Sequence, residues 1–279
     1  MKKIFYISIF SLFILSSCTE VIDFDLNSSM PRLVVEGSIT NETKAHIIKL
    51  TKSSSYYYSE TPPVVSGADV QISDGTNTYV LTESPIGSGV YKTADNVAGE
   101  VNKTYTLTII SEGQTYTATS TLAPVAPIDS IHVAQLFETI PFGNIDSSYT
   151  LSLFAQEPAG NEPDYYFWKY SINNIPQTDT LRRIVFQDDA IFNGNQINDI
   201  PIFHIFQNNL TIGDTVTLYQ YSTDKNYIDF IMGYMYETDW RGSPFDGPPA
   251  NPPSNLTNGA IGYFYASDVS IMSRIVSLH

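Results

Sequence analysis

The residue types that could carry chemistry are few and widely spaced. Histidine occurs only as His46, His132, His204 and His279, and no two stand at the spacing of a metal-binding pair. The chain holds no H-E-x-x-H, C-x-x-C, G-x-S-x-G or G-x-G-x-x-G pattern, and Gly87-Ser88-Gly89 suits a turn better than a nucleophile elbow. Each lone histidine is therefore expected to be structural. Asp and Glu number 29, and two of them facing one cleft would suffice for glycoside hydrolysis. Nothing in the sequence pairs any two, and solvation of the surface accounts for them, so no enzymatic activity is expected. The densest polar run is residues 187–195, where Asp188, Asp189, Asn193 and Asn195 offer the hard oxygens that Ca²⁺ prefers. That run lacks the alternation of an EF-hand loop, and an Asn-Gly turn flanked by acids competes with calcium as its meaning. Tyr56, Tyr57 and Tyr58 sit in a Ser-rich loop. Flat rings with a hydroxyl suit sugar stacking or protein contact, which makes them candidate ligand contacts; the alternative is that they fold over a sheet edge.

One further residue has a chemistry of its own. Lys2 and Lys3 precede an apolar run from Ile4 to Leu15 broken only by Ser8 and Ser11, which is a positive n-region and the h-region of a signal peptide. The run is too short for a comfortable membrane span of about 20 apolar residues. It stops at Leu15-Ser16-Ser17-Cys18, which looks like a bacterial lipobox. Residues 1–17 then form a lipoprotein signal peptide, and Cys18, the single cysteine, is the lipid-attachment residue and mature N-terminus. Acyl and diacylglycerol chains there would hold the protein on a bilayer at about 0.8 kcal/mol per buried CH₂. No other cofactor is expected, and no disulfide can form within the chain. Thr19 in place of Asp after the cysteine points to the outer membrane under the sorting rule of Gram-negative lipoproteins. Glu20, Asp23 and Asp25 resemble an acidic signal for display on the cell surface.

Composition narrows the partners. Lys and Arg total 14, so the net charge is -15, and loss of Lys2 and Lys3 makes the mature chain more negative still. Such a field repels phosphate backbones, which sets nucleic acid aside. With 42% hydrophobic and 15% charged residues the chain can bury a core. Its 19 Tyr, 16 Gly and 16 Pro favour short strands joined by turns.

The elements that must position these residues follow from periodicity. Residues 18–31 read as anchor and tether. From Arg32 apolar and polar residues alternate: Ala68, Val70 and Ile72; Tyr105, Leu107 and Ile109 against Thr104, Thr106 and Thr108; then Tyr116 and Ala118. Asp74-Gly75, Gly87-Ser88-Gly89 and Glu112-Gly113 supply turns. Residues 32–123 are therefore expected to form a β-sandwich, immunoglobulin-like or transthyretin-like. Pro124 and Pro127 mark a boundary. Residues 128–279 are expected to form a second β-rich domain, with strands around Ile131-Val133, Tyr149-Leu153, Tyr165-Tyr170 and Val216-Leu218. One helix is expected at about residues 224–238, capped by Ser222 or Thr223, with Tyr227, Ile228, Ile231, Met232 and Met235 packed on the second sheet. Residues 242–259 read as a Pro-rich loop, and Gly262-Tyr263-Phe264-Tyr265-Ala266 as a closing strand.

Several segments together carry a family resemblance. They include Cys18-Thr19-Glu20-Val21-Ile22-Asp23, Arg32-Leu33-Val34-Val35-Glu36-Gly37, Val65-Ser66-Gly67-Ala68-Asp69-Val70, Gly89-Val90-Tyr91, Thr104-Tyr105-Thr106-Leu107-Thr108-Ile109 and Tyr116-Thr117-Ala118. Phe192-Asn193-Gly194, Ser243-Pro244-Phe245 and Ser254-Asn255-Leu256-Thr257-Asn258-Gly259 follow, the last two being the more distinctive. Together they resemble an uncharacterised family of Bacteroidetes outer-membrane lipoproteins, a domain of unknown function often found beside TonB-dependent receptors. The resemblance implies a tethered accessory protein and carries over no catalytic residue. The expectation is a non-catalytic binding or accessory module of a TonB-dependent uptake system, with the bilayer and a TonB-dependent receptor as partners and the ligand undetermined. A structural or adhesion protein of the envelope is the alternative, and a hydrolase of glycan or peptide a further one.

Overall fold

The computed structural model describes residues 30–54, 61–139, 145–178, 180–239 and 252–277. Seven strands come first: β1 (Leu33–Thr40), β2 (Ile47–Lys52), β3 (Asp69–Ser73), β4 (Thr78–Glu83), β5 (Val90–Lys92), β6 (Thr104–Ser111) and β7 (Gln114–Thr121). Then follow β8 (Ile128–Thr139), β9 (Ile145–Gln156), β10 (Tyr165–Ile172), β11 (Ile175–Pro176), β12 (Val185–Asp188), β13 (Gln196–Phe206) and β14 (Thr215–Thr223). Helix α1 (Lys225–Asp239), β15 (Ile261–Ser267) and β16 (Val269–Ile275) complete them. The protein is mostly β, with one α-helix among the described residues, as its composition and alternation imply.

The alternating residues occupy the faces their period assigns, because successive side chains of a strand point to opposite sides. Val70 and Ile72, Tyr105, Leu107 and Ile109, and Ala118 are all buried, and they meet Val35, Ile39, Ile48 and Leu50 in one core. The enclosing sheet has the order β15-β1-β2-β5-β4-β3-β6-β7 and curls into a nearly closed, barrel-like sandwich. A second sandwich is built from two sheets, β13-β9-β8 and β11-β10-β14-β16, with β12 also paired to β10. Between them lie Ile131 and Val133, Leu151 and Leu153, Tyr166 and Trp168, and Val216 and Leu218.

The closing strand joins the first sheet, not the second. β15 runs parallel to β1, from Val34 opposite Ile261 to Thr40 opposite Ser267, although the sequence suggests a second domain running from residue 128 to the end. Phe264 and Ala266 of β15 complete the first core, while Tyr263 and Tyr265 on its other face meet the helix. The residues from Pro31 onward consequently form one compact unit. The motif Ser254-Asn255-Leu256-Thr257-Asn258-Gly259 accounts for the barrel seam. The Asn255 amide donates to the Phe264 carbonyl (2.7 Å) and accepts from the Phe264 N–H (3.1 Å), and it also donates to the Thr119 carbonyl (3.2 Å). The Thr257 N–H donates to the Thr117 carbonyl at 2.9 Å and the Thr257 hydroxyl accepts from the Thr117 N–H at 2.8 Å, so β7 and β15 are laced together without a strand between them.

A polar seam fixes the connection at residues 123–128. Ser222 Oγ donates to the Ala123 carbonyl (2.6 Å), Gln220 Nε2 to the Ala126 carbonyl (2.7 Å), and Asp268 accepts from the Val125 N–H (3.1 Å) and from Asn41 Nδ2. Ser222 is therefore engaged in β14 and does not cap the helix. Asp224 caps α1 instead, its carboxylate accepting from the Tyr227 N–H at 2.8 Å. The buried stripe of α1 is Tyr227 and Ile231, with Phe230 and Met235 packed beside it; Met232 is exposed. This stripe lies on Phe167 and Tyr221 of the second sandwich and on Tyr263 and Tyr265 of β15, so the helix bridges both sheets rather than covering the second alone.

Candidate functional site

Cys18 and Tyr56, Tyr57 and Tyr58 lie outside the described residues. The polar run at 187–195 is a tight turn after β12. The Phe192 and Asn193 N–H groups donate to the Asp189 carbonyl at 2.7 and 2.8 Å, and Gly194 takes a positive φ of 75°. Asn193 clasps Gly160 in both directions, accepting from its N–H (2.8 Å) and donating to its carbonyl (2.9 Å), while the Asn195 amide donates to the Asn193 carbonyl (3.1 Å). Asp188 Oδ1 accepts from Gln187 Nε2 and from the Ala190 N–H. These three side chains hold the turn, and Asp189 alone points elsewhere.

Asp189 meets two carboxylates that lie far from it in sequence. Glu157, Asp164 and Asp189 place one carboxylate oxygen each within 4.8 Å of the others. Glu157 follows β9 and continues its inward face, next after Leu151, Leu153 and Ala155; it is 1% exposed. Asp164 stands directly before β10, and Asp189 directly after β12, where antiparallel pairing sets Tyr165 opposite Asp188. The Asp164 N–H donates to Asp189 Oδ1 at 3.1 Å and the Asp189 N–H to the Asp164 carbonyl at 3.0 Å. The Tyr166 hydroxyl donates to Glu157 Oε1 at 2.6 Å. Asp189 Oδ2 is buried with no hydrogen-bond partner, and Asp189 is only 2% exposed. Burial raises the Glu157 carboxyl above the ordinary range against the pull of the Tyr166 hydroxyl, and Asp164 is raised by burial and by the charge of Asp189. Glu157 and Asp189 line a cavity of about 170 Å³ whose walls include Tyr166, Trp168, Phe192 and Ile200. Sequence reasoning misses Glu157 and Asp164. The readable signal is a carboxylate at the next inward position of an alternating strand.

A larger concavity lies on the other face of β10. It is a groove of about 810 Å³ between β1 and β2, the turn at residues 181–183 and the exposed flank of α1. Tyr227, Phe230 and Tyr234 form its helical wall, Tyr263 and Tyr265 its floor, and Lys49, Lys169 and Arg182 bring three cations to a chain of strongly negative charge. Phe167 and Tyr221 stack in parallel with ring centroids 4.5 Å apart, and the Lys169 ammonium lies 5.4 Å from each ring. The aromatic stripe thus has a core edge, Tyr227, and a solvent edge, Tyr234, which is 45% exposed.

The histidines divide by burial. His46 is enclosed between Thr40, whose N–H donates to Nδ1 at 3.4 Å, and Val97, whose carbonyl lies 3.1 Å from Nε2. Burial lowers its pKa below the ordinary value. His132 Nδ1 is 3.2 Å from Asp199 on the exposed face of the β8-β9-β13 sheet. His204 is exposed on β13, and His279 lies outside the described residues.

Among the described residues no helix is long and apolar enough to cross a membrane. No curated protein is significantly similar to the chain. Residues 19–271 match the family described as a domain of unknown function (DUF4249), and the chain belongs to that family.

Proposed function

We propose that this protein is a lipid-anchored outer-membrane protein, exposed at the cell surface, that acts as a non-catalytic binding or accessory module of a TonB-dependent uptake system. The anchoring rests on the sequence, since Leu15-Ser16-Ser17-Cys18 after a short apolar run is the arrangement that lipid attachment requires. The binding role rests on the groove beside α1. A volume of about 810 Å³ falls within the range of ligand sites, roughly 300–1,000 Å³, and aromatic walls with a few convergent charges are what such sites use for affinity and orientation. Tyr234 and Lys169 would supply a flat apolar face and a charge to the ligand or to a transporter loop.

The three grouped carboxylates suit a cation better than a glycosidic bond. Glu157 and Asp189 are almost fully buried, and the adjoining cavity of about 170 Å³ is small for a sugar ring and its leaving group.

The test is capture of the native lipidated protein in mild detergent, read by mass spectrometry. A TonB-dependent β-barrel receptor should copurify with the wild type and be depleted with Tyr234→Ala, a change at an exposed position that should alter stability by no more than about 0.5 kcal/mol, and with Lys169→Ala, which also removes the ammonium from the Phe167 and Tyr221 rings and should cost about 0.5–1 kcal/mol. Recovery of no envelope partner, together with turnover of a glycan or peptide by the same preparation, would contradict the assignment.

A further inference from the structure

We infer that Glu157, Asp164 and Asp189 form a divalent-cation site matched to Ca²⁺, at the end of the second sandwich. Two observations carry it independently. The first is convergence: three carboxylates from three chain segments bring ligand oxygens within 4.8 Å of one another. Ca²⁺–oxygen distances of about 2.3–2.6 Å let ligands on opposite sides of one ion stand up to about 5 Å apart, so a single ion can be shared by all three. The second is the orphaned acceptor. Asp189 is 2% exposed, yet its Oδ2 has no hydrogen-bond partner, and a buried carboxylate oxygen left so is costly unless something binds it. Among the described residues no Lys, Arg or His forms an ion pair with any of the three.

The donor set selects the ion. All three ligands are hard oxygens with no thiolate or imidazole among them, which favours Ca²⁺ or Mg²⁺ over Zn²⁺ or Cu²⁺. Mg²⁺ demands near-octahedral geometry and keeps most of its water, whereas Ca²⁺ takes six to eight ligands in flexible arrangements. Asp164 is only half-buried, which leaves one side open for waters to complete the larger shell. The site is not the polar run of 187–195 as such. Asp189 is the residue of that run in the carboxylate group; Asp188 lines the adjoining cavity outside the group, and Asn193 and Asn195 are engaged in the turn's own hydrogen bonds. Tyr166 fixes the Glu157 carboxylate from behind, and the two-way backbone bond fixes Asp164 against Asp189. A bound ion would staple the end of β9, in the three-stranded sheet, to the ends of β10 and β12 in the facing sheet. It would order the turn after β12 in the same stroke.

The experiment uses the full-length protein, purified in mild detergent and stripped with EGTA. Equilibrium dialysis against ⁴⁵Ca²⁺ should give one ion per chain with a Kd on the order of 10⁻⁵ to 10⁻³ M. Millimolar Ca²⁺ should raise Tm, and equimolar Mg²⁺ should do so far less. Tb³⁺ should show luminescence sensitised through Tyr166 and Trp168, because both rings line the adjoining cavity. Asp189→Asn and Asp164→Asn should each weaken Ca²⁺ binding by at least about tenfold, while Asp188→Asn leaves it in place. If Asp189→Asn fails to fold by near-UV circular dichroism, Asp164→Asn at its half-buried position decides alone. Absence of Ca²⁺ binding by the wild type at millimolar concentration, unchanged affinity in Asp164→Asn, or loss on Asp188→Asn instead would overturn the site.

Discussion

Gln220 offers a quantitative test of how the two sandwiches are joined. It is 1% exposed on β14, and its amide faces two ways: Oε1 accepts from the Trp168 indole N–H at 2.8 Å, and Nε2 donates to the Ala126 carbonyl at 2.7 Å. Trp168 is 5% exposed and Ala126 1%, so water has little access to either partner. Replacing Gln220 with Leu keeps the side chain's bulk but leaves a buried donor and a buried acceptor unpaired. Each costs about 1–3 kcal/mol, and the apolar gain of Leu offsets part, so a loss of about 2–4 kcal/mol is expected. Urea denaturation followed by tryptophan fluorescence would measure it, and Tm should fall by roughly 2–4 °C for each kcal/mol in a chain of this size. Trp168→Phe removes the indole donor, so the double variant should lose about 1–2 kcal/mol less than the sum of the single losses. A loss below about 1 kcal/mol for Gln220→Leu, or strict additivity in the cycle, would refute the idea that this buried amide holds the 123–128 connection to the second sandwich.

Gly262 has a φ of 102° where β15 passes β1, and a Cβ there would stand 2.0 Å from the Val35 carbonyl oxygen, so Gly262→Ala should cost about 2–6 kcal/mol, with loss of hydrogen-exchange protection in β1 and β15. His46 binds a proton less readily in the folded state than in the unfolded chain, so stability is full above pH 6.5 and falls as pH drops through that value towards the lowered folded pKa, at no more than about 1.4 kcal/mol per pH unit. Protonation at Nδ1 would also set an N–H against the Thr40 N–H that donates to it. His46→Gln should flatten this part of the stability profile in chemical denaturation across pH 5 to 7, and an unchanged slope would assign it to other groups.

Much of the fold is legible in residue order because a strand declares its faces locally. Tyr105, Leu107 and Ile109 are buried and Thr104 is exposed, as the period of two requires. The aromatic run Tyr165-Tyr166-Phe167-Trp168 reads as a strand, and its lack of alternation has a structural reason: Tyr166 and Trp168 face one core while Phe167 faces the helix. Partnership is what alternation cannot express. Tyr263, Phe264 and Tyr265 look the same whether β15 joins the second sheet or crosses to β1, and the choice depends on which edge is open and which core Phe264 completes. The helix spans Lys225–Asp239, close to the expected bounds, but its cap is Asp224 rather than Ser222 or Thr223, since all three are good capping residues and the first two belong to β14.

The acidic site was half legible. Asp189 lies in a run whose oxygens draw attention, but Asn193 and Asn195 satisfy a turn and Asp188 stays at its edge. Glu157 and Asp164 come from segments 32 and 25 residues earlier; the pairing of β10 with β12 brings Asp164 to Asp189, and the facing of the two sheets brings Glu157. The groove was hidden differently. The Tyr227-to-Met235 stripe is core along one edge and wall along the other, a distinction set by β15 rather than by the helix. Tyr56, Tyr57 and Tyr58 remain candidate contacts, and a direct comparison of Tyr57→Ala with Tyr234→Ala in receptor capture would rank the two surfaces.

Cys18 carries the heaviest weight in the proposed role, because attachment to a bilayer is what makes a groove on a small β protein an envelope receptor surface. Metabolic labelling of cells with an alkyne fatty acid, followed by capture of the full-length protein, reads that attachment directly. Label is expected on the wild type and its loss in Cys18→Ala, with that variant shed from the outer-membrane fraction. An unlabelled wild type, or equal label in Cys18→Ala, would contradict it.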